Sequence, residues 1–213
     1  LKVVAEFVTS AAGAEGLPKD GLPELAMVGR SNVGKSSLIN ALVRKKLART
    51  SAAPGKTRLA NFYRVVVEPR PPFYLVDLPG FGYARAPRQA RGGPSSAEGR
   101  RREAAEEFDA LAAGYFGARV GAPQFRGVFV LVDSRHPGLD SDRSAWNWLG
   151  RLGVEKYAVA TKVDKLTRAE RQRHFGELER LYSGPVTPVS AETGEGLDEL
   201  WKKIASLTTT RRP

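Results

Sequence analysis

Gly29-Arg30-Ser31-Asn32-Val33-Gly34-Lys35-Ser36 has the spacing G-x-x-x-x-G-K-S/T. Glycines at the two ends let backbone N–H groups wrap phosphate oxygens, and the N-terminus of a following helix adds a favourable field. Lys35 would reach the β- and γ-phosphates of a nucleotide, and Ser36 would ligate Mg²⁺. An apolar run, Leu25 to Val28, precedes the loop, and a helical pattern from Lys35 to about Lys46 follows it. That strand–loop–helix context separates a phosphate loop from a chance glycine-rich turn.

Asp77-Leu78-Pro79-Gly80 closes a second apolar run about 40 residues on. An acid there can hold the Mg²⁺ shell, and the Gly80 N–H can meet a γ-phosphate. Ras-type enzymes follow that glycine with a glutamine that orients water; here Phe81 follows. A phenyl ring orients no water, so slow hydrolysis is expected, roughly 10⁻⁴ s⁻¹ without help and on the order of 10³–10⁵ faster with a partner's groups. Thr57, in Pro54-Gly55-Lys56-Thr57-Arg58, lies where a switch threonine would close over Mg²⁺ and the γ-phosphate.

Thr161-Lys162-Val163-Asp164 has the form of a guanine-reading loop, with threonine in place of the usual asparagine. A carboxylate at Asp164 can accept from N1–H and the exocyclic amine of guanine; adenine offers no matching donors, and sites built this way discriminate strongly. Ser190-Ala191 would supply the backbone N–H that reads O6. Each fragment alone is weak, and their order and spacing give the reading its weight.

The elements that must position these residues follow from apolar periodicity. Besides those named, strands are expected at Phe62–Val67 and Phe73–Val76 as a hairpin, at 127–132, 156–160 and Val186–Val189. Helices are expected from about Arg101 to Phe116, Ser141 to Leu152, Thr167 to Tyr182 (opened by a Thr167–Glu170 capping box) and Leu197 to Leu207. The alternation predicts an α/β three-layer sandwich, a mostly parallel six-stranded sheet with helices on both faces. Ligands in such sheets bind at the carboxyl ends of strands, where every motif falls. Residues 1–22 read as an extension packing on or near the nucleotide-binding domain at 23–207, and 208–213 as a basic, frayed tail.

The chain has 213 residues, no cysteine and a formal net charge of +11. The missing cysteine excludes disulfides and thiolate metal sites. No apolar run approaches the roughly 20 residues of a membrane span, and the start lacks the pattern of a signal peptide. A monomeric cytoplasmic protein with no membrane partner is expected. The surplus of positive charge is concentrated. Residues 44–58 carry Arg44, Lys45, Lys46, Arg49, Lys56 and Arg58 with no acid, and 85–102 carry Arg85, Arg88, Arg91, Arg100, Arg101 and Arg102 against Glu98. Both segments adjoin the loops that would sense a γ-phosphate. Basic side chains so placed predict a salt-sensitive, RNA-facing surface; residues 84–100 read as a flexible loop. His136 reads as structural, His174 as solvated, Trp146 and Trp148 as core packing on different faces of one helix, and Asp133 as a loop brace.

GRSNVGKSSLINAL (29–42), APGKTR (53–58), DLPGFGYA (77–84), LVDSRHPGLDSD (131–142) and TKVDKL (161–166) together resemble the EngB (YihA/YsxC) family of bacterial P-loop GTPases, over about residues 23–205. The resemblance implies a Ras-like fold, Mg²⁺-dependent GTP hydrolysis and a switch in large ribosomal subunit assembly needed for normal division and septation. It implies guanine-nucleotide contacts at Gly29, Arg30, Ser31, Asn32, Val33, Gly34, Lys35, Ser36 and Ser37; at Gly55, Lys56, Thr57, Arg58 and Leu59; at Asp77, Leu78, Pro79 and Gly80; at Thr161, Lys162, Val163 and Asp164; and at Val189, Ser190 and Ala191. Metal ligands would be Ser36, Thr57 and Asp77, and the catalytic set Lys35, Thr57, Gly80 and Asn32. Asn32 stands where some related GTPases ligate K⁺; a hydrogen bond bracing the loop is the equal alternative. Two other functions compete: a GTP-gated adaptor for membrane or division proteins, and a small-molecule phosphotransferase, against which TKVD and Ser190-Ala191 argue.

Overall fold

The computed structural model describes residues 2–48, 59–81 and 114–209. In chain order these form β1 (Val3–Ala11), β2 (Glu24–Gly29), α1 (Lys35–Val43), β3 (Ala60–Val67), β4 (Phe73–Asp77), α2 (described over 114–119), β5 (Phe125–Asp133), α3 (Asp140–Arg151), β6 (Lys156–Thr161), α4 (Arg168–Tyr182), β7 (Val186–Pro188) and α5 (Leu197–Thr209). Single 3₁₀ turns lie at Ala14–Gly16 and Val163–Lys165.

One mixed sheet runs β1-β3-β4-β2-β5-β6-β7. Strands β4, β2, β5, β6 and β7 are parallel to one another, whereas β3 pairs antiparallel with both β4 and β1. The sheet therefore has seven strands where the sequence predicts six. The extra strand comes from the N-terminal segment, which aligns Val3 with Val67 and Ala11 with Ala60. It has no clean alternation to read: Val4, Phe7 and Val8 are exposed, and a bulge shifts register between Phe7 and Thr9.

The central strands are buried on both faces, which is why they read as unbroken apolar runs. Alternate residues serve opposite layers. Leu25, Met27, Leu75, Phe129 and Leu131 pack with Leu38, Ile39 and Leu42 of α1 and with Leu200 and Ile204 of α5. On the other face Ala26, Val28, Val76, Val128 and Val130 pack with Tyr115 and Phe116 of α2 and Leu149 of α3, and Val132, Ala158 and Ala160 meet Leu178 and Tyr182 of α4. Each fully buried leucine, isoleucine or phenylalanine in these layers contributes roughly 1.5–3 kcal/mol.

Helix boundaries differ from the periodicity at three places. Helix α1 stops at Val43, because Arg44 turns left-handed (φ 53) and donates its N–H back to Ala41 and Asn40. Asn40 then holds the departing chain, its amide donating to Ala48 O at 2.8 Å and accepting from the N–H groups of Leu47 and Ala48. Arg44, Lys45 and Lys46 are left exposed beyond the helix. Helix α5 continues to Thr209, the Thr208 and Thr209 hydroxyls donating to carbonyls one turn back. The Thr167–Glu170 box opens α4 with both of its reciprocal bonds. Of the helix predicted over 101–116, only 114–119 is described, extending past Phe116. Its Tyr115 and Arg119 bind the buried Glu24 at the amino end of β2 (2.9 and 3.0 Å), away from the motif edge.

Candidate nucleotide site

The loops that follow β2, β4, β5, β6 and β7 share one edge of the sheet and bring the motifs together. After β2 the loop at 29–34 turns on two left-handed residues, Asn32 (φ 61) and Gly34 (φ 110). Asparagine tolerates that region and glycine occupies it at no steric cost. The Lys35 ammonium is buried at the start of α1, 3.0 Å from Gly29 O and 3.4 Å from Arg30 O. Burial lowers its pKa, against the pull of Asp77. Ser36 Oγ donates to Asp77 Oδ2 at 3.0 Å. Burial raises the Asp77 pKa, with Lys35 and Ser36 opposing, and its Oδ1 has no hydrogen-bond partner among the described residues. A hydroxyl oxygen beside a carboxylate with a spare buried oxygen is a donor set for a hard divalent cation, so the residues present fit Mg²⁺.

After β4 the chain passes against the phosphate loop. A Cβ on Gly80 would lie 2.7 Å from both the nitrogen and Oγ of Ser31, so glycine is required by close approach. The Ser31 N–H donates to Phe81 O at 3.1 Å. Phe81 itself is buried with Ala145 and Trp148 of α3.

Behind and beside this loop stands the TKVD segment. Thr161 Oγ1 donates to Val33 O at 2.7 Å, with Val132 O 3.1 Å away, so the threonine ties β6 to the phosphate loop. Lys162 is left-handed (φ 61), and its Nζ donates to Asn32 O at 2.6 Å and to Asp133 Oδ2 at 2.9 Å. Asp133 also takes Arg135 through its backbone N–H, Nε and Nη2. Although burial opposes it, these donors hold the Asp133 carboxyl well below the usual range. Asp164 Oδ1 accepts from Ser190 Oγ at 2.7 Å, and Lys165 Nζ lies 2.9 Å from Oδ2; the Ser190 bond, then Lys165, lowers its pKa. Ser190 Oγ accepts in turn from the N–H groups of Glu192 and Thr193. Arg171 of α4 braces this corner, bidentate to Glu195 and donating to Val163 O.

Not every motif residue turns a side chain to the site. Val33, Leu78, Val163 and Val189 are buried in the core, which leaves only their backbone for a ligand. Ser37 is exposed in the first turn of α1, and Leu59 is exposed ahead of β3. Arg30, Pro79, Gly80 and Ala191 are half-buried. Gly55, Lys56, Thr57 and Arg58 lie outside the described residues, as does the arginine-rich segment at 85–102. His174 is not solvated: it is half-buried, Nδ1 2.8 Å from Ser134 O. Trp146 stacks edgewise on Tyr182 under the Lys156 ammonium, and Trp148 on Phe116. The sequence offered no sign of the Arg30–Asp142 pair, 3.2 Å apart, since its partners lie in separate motifs.

A phosphate loop entering a helix, an acid at the end of the neighbouring strand and a TKVD loop tied to the phosphate loop define a P-loop GTPase. Comparison with known proteins agrees. The family of 50S ribosome-binding GTPases matches residues 24–162. A probable GTP-binding protein EngB of Symbiobacterium thermophilum is 42% identical, across 95% of this chain and 94% of the relative. Two crystal structures share the fold: a probable GTP-binding protein engB (TM-score 0.55, 21% identity, 87% of this chain and 98% of that one) and Aquifex aeolicus Era bound to GDP and aluminium fluoride (TM-score 0.64, 22% identity, 90% and 58%). The chain belongs to the EngB family of GTP-binding proteins. Among the described residues no helix is long and apolar enough to cross a membrane.

Proposed function

We propose that the protein is a GTP-controlled switch, slow in hydrolysis, that times its own binding to the assembling large ribosomal subunit and so supports normal division and septation. The observation that carries this reading is Lys162, whose ammonium joins Asn32 O of the phosphate loop to Asp133 while its neighbour Asp164 is oriented by Ser190. Phosphate binding and base reading are thereby held at a fixed separation.

In this mechanism Asp164 accepts from N1–H and the amine of guanine, and a backbone N–H at Ser190-Ala191 meets O6. The Lys162 stem covers the base. Lys35 leaves the loop carbonyls for the β- and γ-phosphates, and the Gly80 N–H meets the γ-phosphate. Ser36, Asp77 and Thr57 would hold Mg²⁺, which when bound neutralises developing phosphate charge. Asn32 is a candidate K⁺ ligand, and faster GTP hydrolysis in potassium than in sodium buffer would support that role. Positive charge at 44–58 and 85–102 would face rRNA when GTP is bound, and hydrolysis would loosen that surface.

The test is co-sedimentation with purified large ribosomal subunits over a salt series, with a non-hydrolysable GTP analogue against GDP. Pelleting with the analogue alone, falling steeply with salt, supports the switch. Equal pelleting with both nucleotides, or none with either, refutes it.

A further inference from the structure

Behind the phosphate loop, Arg30 Nε lies 3.2 Å from Oδ1 of Asp142. Arg30 is the loop's second residue; Asp142 sits in the first turn of α3, with a side chain only 1% exposed. Arg30 Nε and both Asp142 oxygens lack a well-aligned hydrogen bond among the described residues. The pair is therefore held by charge at contact distance, not by directed bonds. Such a carboxylate adds little to the stability of a fold, because its desolvation offsets the attraction. What it controls is the position of Arg30 beside it.

The same helix reaches the other half of the phosphate site. Ala145 and Trp148, one and two turns beyond Asp142, form the seat of Phe81, whose carbonyl binds Ser31 of the loop. Helix α3 thus grips the phosphate loop through Asp142 and the segment after Asp77–Gly80 through Phe81.

We propose that Asp142 is a positioning residue for the phosphate loop, a latch that holds the loop through Arg30 and thereby slows nucleotide release. The inference rests on the guanine-nucleotide reading given above. The latch is sensitive to protons. Burial pushes the Asp142 carboxyl up to about 6; Arg30 opposes this and the charge of Asp133 at the end of β5 adds to it. Among the described residues Tyr182 of α4 also faces Asp142, and Arg143 of α3 lies near the same tyrosine. At neutral pH the pair is ionised and the latch closed. As pH falls through about 6 the carboxyl takes up a proton, Arg30 loses its counter-charge and the loop is released.

The experiment follows dissociation of a fluorescent N-methylanthraniloyl-GDP from the full chain with Mg²⁺ present, chased by excess GDP. From about pH 7.5 to about pH 5 the wild-type rate should rise roughly tenfold, the effect of losing one charge-assisted contact. Asp142→Asn keeps both histidines of the chain and should release at the fast rate throughout, with no pH profile. Arg30→Gln should do the same, and the double variant should be no faster than either single one. An Asp142→Asn protein that releases slowly with the wild-type profile, or a double variant whose effects add, overturns the latch. If the wild type binds GDP tightly with a rate independent of pH, the latch alone fails. If it binds no guanine nucleotide at about pH 7.5, the guanine reading fails and the latch with it.

Discussion

The Ser31 amide donates to the carbonyl of Phe81 at 3.1 Å, and this bond joins the phosphate loop to the segment that follows Asp77–Gly80. With its carbonyl so directed, the Phe81 ring enters the layer beneath α3, against Ala145 and Trp148. The side chain that in Ras-type enzymes orients water is here a structural anchor, turned into the protein.

Restoring a polar side chain at position 81 should therefore not restore fast hydrolysis. Phe81→Gln is expected to leave the single-turnover GTP rate within a few-fold of wild type. Phe81→Ala should lower stability by about 3 kcal/mol in urea unfolding, as for other buried aromatics. A glutamine variant hydrolysing a hundred times faster would show that the position does reach the nucleotide.

Gly80→Ala should be costly, since its Cβ would meet Ser31 N and Oγ at 2.7 Å. Backbone must move, at about 1–3 kcal/mol. Because the Gly80 N–H is proposed to meet the γ-phosphate, binding of a GTP analogue should weaken more than binding of GDP. Calorimetric titration of the two nucleotides decides it; equal losses would confine the glycine's role to packing.

Thr161 takes over the tie to the phosphate loop through its bond to Val33 O at 2.7 Å. Thr161→Val keeps the shape and removes the donor, so a loss of about 1–2 kcal/mol in stability is expected, with weaker GDP binding. Thr161→Ser should retain both. If serine fails as badly as valine, the methyl packing, not the hydroxyl, matters.

Asp142 also makes a prediction about stability. Its folded pKa is raised to about 6, above an unfolded value of about 4. A raised carboxyl favours the fold while protonated, so its contribution is fully present below about pH 4 and is lost as pH rises through about 6. The nucleotide-free wild type should thus lose about 1–3 kcal/mol over that window through this group, and Asp142→Asn should not. The variant would be more stable at neutral pH yet hold nucleotide less firmly. Urea unfolding of both proteins across pH checks this, and an identical pH slope in the variant would place the loss elsewhere.

Much of the fold was legible because its signals are local. The Thr167–Glu170 box is contained in four residues, and the buried strands announce themselves as unbroken apolar runs. Strand β1 was not legible as a strand: its exposed Val4, Phe7 and Val8 and its bulge erase the alternation, and only pairing with β3 gives it a role. His174 was misread as solvated for a related reason, since the carbonyl of Ser134 that covers it comes from another segment.

The sequence by itself determined which residue types stand at the site: a G-x-x-x-x-G-K-S loop with Lys35 and Ser36, an acid at Asp77 and a carboxylate at Asp164 within TKVD, the set proposed to wrap phosphate and read guanine. Those roles demand particular residues at fixed spacing along one stretch of backbone, so they can be read without coordinates. The tertiary structure alone decided which way Phe81 faces, that Thr161 reaches Val33, that Lys162 bridges Asn32 and Asp133, and that Arg30 meets Asp142. Each of these joins segments far apart in the chain. Their meeting is fixed by the order of strands in the sheet and by the helix packed across it, a long-range outcome of burial that no local pattern encodes.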